Sequence, residues 1–514
     1  MPYVSLIVEA LRARPVGVFW FVVLAQALLW VLVPVLFYSS PPGDLPEVLA
    51  IGREWQPGSW RGPPLAFWLA ELAFNAAGGR PVGVYVLSQI CVVAAFWTIF
   101  AWARALVGTQ YAVLAVLLMN GIVALSAPTP DFGPAVLAML LTALALVFFW
   151  RALGEGRRGY WVALAFTLGL LLLTTYWGLL IIALMALFMT VGREGRAALA
   201  TIDPWAAAAL ALVIALPHAG WLWQSGVSPA ASLPAFALSA IGARFLQWPL
   251  LLGGLIAAHA GLIVLAVLAS GWRADSRLEV PEIEGQPVSP FARAFVLFFA
   301  AALPLAGALV AALVGADVSL SWAAPLVLFS GLAVLVAAGR RLTLHRQHIV
   351  GVAWLAVLTL PPAAVFAAIA LAPWTAVVDL SSRQPTAAMG HFFTDTFRRR
   401  TGRPLEIVVG DSRYAQLIAL GSADRPHVYS AADSRRTPWL SDSDVRRKGG
   451  VIVWPVQELA GQPPPEIRAR FPDLVAELPQ NFERPLNGFL PALRIGWGLL
   501  RPQSDEVRPA PRRP

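Results

Sequence analysis

The chain has 514 residues, of which 58% are hydrophobic and 13% charged, with a mean hydropathy of +0.68. Those values exclude an ordinary soluble domain and point to a polytopic membrane protein. The net charge of +9 does not indicate nucleic acid, because the arginines are scattered through short loops without a basic patch or interleaved aromatics. The single Cys91 lies in an apolar run, which excludes a disulfide framework or a cysteine metal site.

Residues 3–13 read as a short amphipathic helix on the membrane surface. The run from Val16 to Phe37 is too long for a signal-peptide core and lacks a convincing small-residue cleavage site, so it is expected to be retained. Apolar runs of about 20 residues then recur. They place spans near 16–38, 82–103, 110–126, 133–151, 160–175, 177–192, 204–223, 248–271, 293–314, 322–338 and 349–374, about 11 in all. The continuous run Val162 to Val191 is divided at Tyr176-Trp177-Gly178.

Charge asymmetry orients the spans. With the N-terminus in the cytoplasm, the cytoplasmic segments hold Arg12, Arg14, Arg104, Arg151, Arg157, Arg158, Arg193, Arg196, Arg273, Arg277, Arg293, Arg340, Arg341 and Arg346. The opposite side holds only Arg53, Arg61, Arg80 and Arg244 before the tail, a positive-inside pattern that requires an odd number of spans. The first polar loop, 39–81, and the region after 375 then face the periplasm of a bacterial inner membrane.

After Pro373 the composition changes. A helical stretch over 382–400 precedes the strand-like 405–409, a helix around Tyr414–Leu420, and strand-like 427–431 and 450–454. That alternation predicts a periplasmic α/β domain over 376–500, followed by a disordered tail over 501–514. The fold class is therefore mainly α, a transmembrane helical bundle over 1–375 with an appended α/β domain.

The stretch Pro41 to Glu71 gathers Asp44, Glu47, Arg53, Glu54 and Arg61 between two hydrophobic spans, and catalysis is expected there if the chain is an enzyme. Asp44-Leu45-Pro46-Glu47 is a D-x-x-E capping box with proline in the first turn, so it reads equally as a helix start and as a positioned carboxylate. In Trp60-Arg61-Gly62-Pro63-Pro64-Leu65-Ala66-Phe67-Trp68 the prolines fix an extended segment and the aromatics suit the headgroup layer. Arg61 also suits two-pronged phosphate binding. Asp131 opens the fourth span and His218 ends the seventh, both on the outer side with Asp44, so a shared cavity is geometrically open to them. Each also has a plain structural reading, as a helix cap and as a satisfied interfacial histidine. His259, within a span, reads as packing.

The apolar spans hold almost no acidic residue near their middles, which weighs against an ion-coupled transporter. No Walker loop, dinucleotide fingerprint or H-E-x-x-H is present.

These residues resemble the polytopic GT-C glycosyltransferases of the protein O-mannosyltransferase type (family 39-like), including the bacterial enzyme that adds 4-amino-4-deoxyarabinose to lipid A. That family carries an acidic residue in its first periplasmic loop, then an R-E pair and a K-P-P-L-x-Y-W-like segment. Here Asp44 is followed by Arg53-Glu54 and by Arg61-Gly62-Pro63-Pro64-Leu65-Ala66-Phe67-Trp68, and Thr129-Pro130-Asp131 matches a T-x-D-like site. The resemblance implies an inverting enzyme with a polyprenyl-phosphate-linked sugar as donor and a lipid, glycan or protein acceptor. It makes Asp44 the general base. Glu47, Arg53, Glu54, Arg61, Asp131 and His218 would bind substrate, with Arg53 and Arg61 stabilising the leaving lipid phosphate. This sequence departs from the family at Gly62, where a lysine is usual, at Thr175-Tyr176-Trp177-Gly178, where lysine-glycine is usual, and over 317–322, which has no cation. The phosphate site is thus thinner than usual, with Arg61, Arg244, His218 or a divalent metal cation as the available substitutes. A non-catalytic membrane scaffold derived from the same fold is the second reading.

Overall fold

The computed structural model describes residues 9–126, 132–228, 241–270, 282–315, 323–343, 347–375, 381–456, 461–485 and 492–503. The chain forms two compact units, Met1–Leu36 with Arg61–Ala367, and Phe37–Trp60 with Ala368–Pro514. The interval expected to be one loop, 39–81, is therefore divided between them.

The first unit is a helical assembly. Six of its helices are long and apolar enough to cross a membrane: Pro15–Phe37, Val82–Val107, Pro134–Leu153, Asp203–Ser225, Pro290–Val314 and Ile349–Leu371. Two bent pairs raise the number to eight if each is one span: Trp177–Val191 with Arg193–Leu199, at 107°, and Gln247–Ala258 with Ala260–Ala269, at 53°. By length and composition the described residues thus give six to eight spans where about 11 were expected. The difference lies in breaks that an apolar average does not register. Thr109–Met119 and Gly159–Leu172 are apolar helices of 11 and 14 residues, short of the roughly 20 that the hydrocarbon core demands. The expected division near Tyr176 is observed, with Gly159–Leu172 ending before Trp177–Val191 begins.

Both bends are chemically closed. Arg196 Nη1 donates to the carbonyls of Thr190 and Val191 at 3.1 and 2.9 Å, covering the end of the helix before the 107° bend. At the 53° bend, His259 bonds through Nδ1 to the Leu255 carbonyl (2.6 Å) and through Nε2 to Ser330 Oγ (2.9 Å), in keeping with a packing role. Leu262 N donates to the Gly121 carbonyl at 3.1 Å, an approach that a side chain on Gly261 would block, since its Cβ would lie 2.5 Å from that oxygen. Close backbone contact through small residues is how helices associate in lipid, where apolar burial offers little. An aromatic cluster of Trp102, Phe149, Phe188, Phe295, Phe299 and Phe329 fills the interior, with Phe295 and Phe299 centroids 4.7 Å apart. Phe21, Leu28, Leu212 and Leu360 are exposed, as side chains solvated by lipid are. Two short strands, β1 (Glu282–Glu284) and β2 (Arg341–Thr343), pair antiparallel.

The second unit is α/β. Its six-stranded sheet comprises β3 (Ile407–Gly410), β4 (His427–Ser430), β5 (Gly450–Pro455), β6 (Val475–Ala476), β7 (Gln480–Phe482) and β8 (Leu493–Leu500). The order is β4-β3-β5-β8-β6, with β7 also on β8; β3 is parallel to β4 and β5, and β8 is antiparallel to β5. Strands appear where the sequence pattern predicts them at 407–410, 427–430 and 450–455. Side chains alternate between two cores: Val408, Val451 and Val453 pack with Met389, Phe393 and Phe397 of helix Thr386–Thr401, while Ile407, Val409, Ile452 and Trp454 face Tyr429, Val445 and Phe471. Helix Ser412–Gly421, capped by Asp411 Oδ1 on the amides of Arg413 and Tyr414 (3.0 and 3.3 Å), carries helix Leu45–Gly52 against its side. The carbonyl of Ile369 lacks a helical donor because position 373 is proline, and Arg383 Nη2 supplies one at 2.6 Å.

A polar network ties β4 to the sheet's second face. Arg470 Nε donates to Asp442 Oδ1 and Oδ2 (2.9 and 3.0 Å), its Nη1 to the Ala431 carbonyl (2.6 Å) and its Nη2 to Tyr429 Oη (2.6 Å); Tyr429 Oη donates to Asp442 Oδ1 (2.7 Å). Burial tends to raise the Asp442 carboxyl, but the bonds from Arg470 and Tyr429 outweigh it and hold the group below its usual range. Burial, aided by donation to Asp442, pushes Tyr429 up to about 12. A phenol whose folded pKa is raised contributes stability that is fully present below its unfolded value near 10 and is lost as pH rises toward the folded one. Tyr429→Phe should therefore cost about 1–3 kcal/mol at neutral pH. It should also flatten the fall in stability between about pH 10 and 12, as read from urea unfolding of the full chain in detergent followed by protease resistance of this unit.

Candidate functional site

Within the second unit, Pro41 and Pro42 lead into Gly43 at φ 52°, a left-handed conformation that suits glycine. That turn delivers Asp44 to the start of helix Leu45–Gly52. Asp44 occupies the N-cap position, yet its side chain makes no cap hydrogen bond, so the capping box suggested by D-x-x-E is not formed. Pro46 explains part of this, since it removes one of the two amides that an N-cap side chain serves.

Asp44 and Glu47 instead line a pocket of about 310 Å³ with Trp60, Ser381, Gln384, Arg413, Gln416 and Arg436. The Arg436 guanidinium sits over the Trp60 ring, 4.4 Å from its centroid, an attraction between the cation and the ring's negative face. Two carboxylates and two guanidiniums therefore share one concavity with an aromatic wall, a lining that can take a proton from a hydroxyl and hold a polar, hydroxyl-rich ligand. Glu54 lies elsewhere in the same unit. Its largely buried carboxylate meets His427 Nδ1 of β4 at 2.7 Å. Arg53, at the end of helix Leu45–Gly52, is half-buried.

The remaining candidates belong to the first unit. Gly62, at φ 136°, lets the Arg61-Gly62-Pro63-Pro64 segment pass beside Tyr176: a Cβ there would lie 3.9 Å from Tyr176 Cε2. Leu65 N donates to the Leu173 carbonyl at 2.9 Å, fixing the same segment to the junction after helix Gly159–Leu172. Tyr176 Oη is 2.9 Å from Nε2 of buried His218, and Trp221 lies parallel to that imidazole at 6.3 Å. The segment after Arg61, Tyr176 and His218 are thus gathered in one place. Arg244 Nη1 donates to the Leu313 carbonyl at 3.1 Å, near the end of helix Pro290–Val314. Asp131 lies outside the described residues. Among the described residues, no group of three or more His, Cys, Asp or Glu side chains is arranged to hold a metal ion.

Sequence reasoning did not reach Trp60 as a pocket wall, nor Arg413, Gln416, Arg436 and His427, and no local signal marks them. Tyr176 stood at a departure from the family pattern, which is a signal of a kind.

Residues 61–221, about a third of the chain, match the model of the dolichyl-phosphate-mannose-protein mannosyltransferase family. Among solved structures, ArnT from Cupriavidus metallidurans bound to undecaprenyl phosphate aligns at a TM-score of 0.56 and 14% identity, covering 94% of this chain and 98% of that one. The apo state of the same protein aligns at 0.57 with the same identity and coverage. No curated protein matches the sequence. The family match and the shared fold bear out the resemblance to the protein O-mannosyltransferase type over a region that begins at Arg61, after Asp44 and Arg53-Glu54, and together they support a membrane glycosyltransferase.

The Tyr176–His218 contact makes its own prediction. Tyr176→Phe removes one hydrogen bond from a buried imidazole and should lower stability by about 1–3 kcal/mol. The check is a drop in apparent Tm of the purified chain in detergent for Tyr176→Phe relative to wild type.

Proposed function

We propose that the chain is an inverting membrane glycosyltransferase that moves a sugar from a polyprenyl-phosphate-linked donor to a lipid, glycan or protein acceptor, with Asp44 as general base. The observation that carries this reading is the pocket that Asp44 lines with Glu47, Arg413, Arg436 and Trp60. Further support comes from the mannosyltransferase family match and from the shared fold with ArnT, one of whose structures holds undecaprenyl phosphate. In the step proposed, an acceptor hydroxyl gives its proton to Asp44 as its oxygen bonds the anomeric carbon. The bond from that carbon to the phosphate oxygen breaks on the opposite face, and polyprenyl phosphate leaves with the electron pair. A positioned base contributes about 10²–10⁴-fold. Glu47 orients the acceptor, and Arg53 and Arg61 offset charge on the departing phosphate. His218 and Asp131 are assigned to substrate binding.

The second reading, a non-catalytic scaffold, rests on Gly62 and on the absence of a cation over 317–322. Mass spectrometry of envelope lipids and glycans separates the two. A deletion strain should lack one sugar unit, restored by the wild-type gene and reduced at least 10²-fold with Asp44→Asn at matched protein level. Equal restoration by both genes removes Asp44 as the base, and identical profiles in all strains favour the scaffold.

The orientation is part of the proposal: a bacterial inner membrane, a cytoplasmic N-terminus, and the 376–500 region in the periplasm. A periplasm-dependent reporter fused after residue 380 should be active. A signal from a cytoplasm-dependent reporter at that position would overturn the orientation.

A further inference from the structure

We infer that His427 and the Ser381–Ser382 turn are positioning residues that set the placement of Asp44 from within the α/β unit, an inference that rests on the reading of Asp44 as the base. Helix Leu45–Gly52 has eight residues, too few to hold a direction by its own hydrogen bonds. The orientation of the carboxylate at its start is therefore decided by tertiary contacts, the face that packs and the bonds that grip its two ends.

The grip before the helix comes from one turn. Ser39 N and Ser40 N donate to the Ser382 carbonyl at 3.0 and 3.1 Å, and Thr386 Oγ1 donates to Ser40 Oγ at 2.8 Å. Gly43 N, the amide immediately before Asp44, donates to Ser381 Oγ at 3.1 Å. The grip after the helix is the Glu54–His427 bond, 2.7 Å long and joining residues 373 apart in sequence. Glu54 is two residues beyond the helix end, and its side chain is only 8% exposed. His427 begins β4, where its own amide bonds the Glu406 carbonyl at 2.8 Å and its neighbours pair in register with β3, so it offers a rigid anchor. Trp55, just after Glu54, adopts φ 51°, an unusual conformation for a bulky residue at the point where the chain turns away. Between the grips, Leu45, Val48 and Leu49 are buried and the helix lies on Ser412–Gly421, which also carries the pocket residues Ser412, Arg413 and Gln416. Asp44 and the wall it shares are thus referenced to one scaffold, the condition under which a base stays within hydrogen-bond reach of an acceptor.

The test uses the full-length chain in detergent and hydrogen–deuterium exchange. His427→Ala should speed exchange of the amides over 43–54 at least tenfold while β3, β5 and β8 keep their protection. His427→Gln, whose side-chain amide can donate to Glu54, should restore most of it. In the complemented deletion strain, product should fall roughly 10–100-fold with His427→Ala, the scale of a displacement of about 1 Å at a reacting group, and recover with His427→Gln. Faster exchange across the whole sheet would make His427 a general fold residue and overturn the inference. So would full product from a His427→Ala chain loosened over 43–54. Full product from Asp44→Asn would instead overturn the base reading, and the role of His427 in catalysis with it, so the two failures are told apart by which variant keeps its product.

Discussion

A short helix with a carboxylate at its start has no means of aiming that carboxylate; its ends must be held. In this chain the holding is done by hydrogen bonds between residues more than 300 positions apart: Gly43 to Ser381, Ser40 to Thr386, and Glu54 to His427. The first loop cannot be a free excursion from the first span, because its backbone amides at Ser39 and Ser40 are spent on the Ser382 carbonyl. The α/β unit is in that sense half of a composite layer whose other half, Phe37–Trp60, comes from the far end of the sequence. The pocket follows from this arrangement. Its acidic side comes from the loop and its basic side largely from helix Ser412–Gly421 and Arg436, so neither segment alone contains it.

The helical unit answers a different constraint, that a backbone polar group in an apolar medium needs a partner. Where its helices break, a side chain or a neighbouring backbone closes the account: Arg196 at one bend, His259 and Ser330 at another, Arg244 near the end of Pro290–Val314. Several of these residues look functional in a sequence because charge and imidazole are rare there. The structure shows that a cation within or beside apolar helices is often occupied with carbonyls. His259 illustrates the point, and Arg244 weakens as a phosphate ligand for the same reason. His218 differs, since its contact with Tyr176 lies beside the Arg61–Leu65 segment that the family resemblance singled out.

Much was legible in advance because it is written locally. Apolar runs mark helices, and strand-like runs at 405–409, 427–431 and 450–454 alternating with helical ones mark an α/β region, whose strands fall at 407–410, 427–430 and 450–455. The break near Tyr176 was legible as well, from the aromatic-glycine interruption of a long run. The span count was less so, because averaging hydrophobicity hides helix ends such as Asn120-Gly121, where a close approach to Gly261 replaces continuation of the helix. The capping box at Asp44-Glu47 was a sound local reading that the backbone does not realise: Asp44 is itself helical, at φ −87° and ψ 0°, rather than extended as an N-cap is, and Pro46 offers no amide.

Composition and periodicity by themselves determined that the chain is a mainly helical membrane protein with an α/β region and a charged first loop; the residues of that loop further resemble those of GT-C glycosyltransferases. Those properties arise between residues within a few turns of one another, so one dimension is enough to carry them. Only the tertiary structure decided that Asp44 and Glu47 face Arg413 and Arg436, that Glu54 is held by His427, and that Tyr176 meets His218. Each of those meetings joins side chains of ordinary type in segments far apart. Nothing in the local pattern distinguishes an arginine on helix Ser412–Gly421 from any other surface arginine until packing brings the first loop against it.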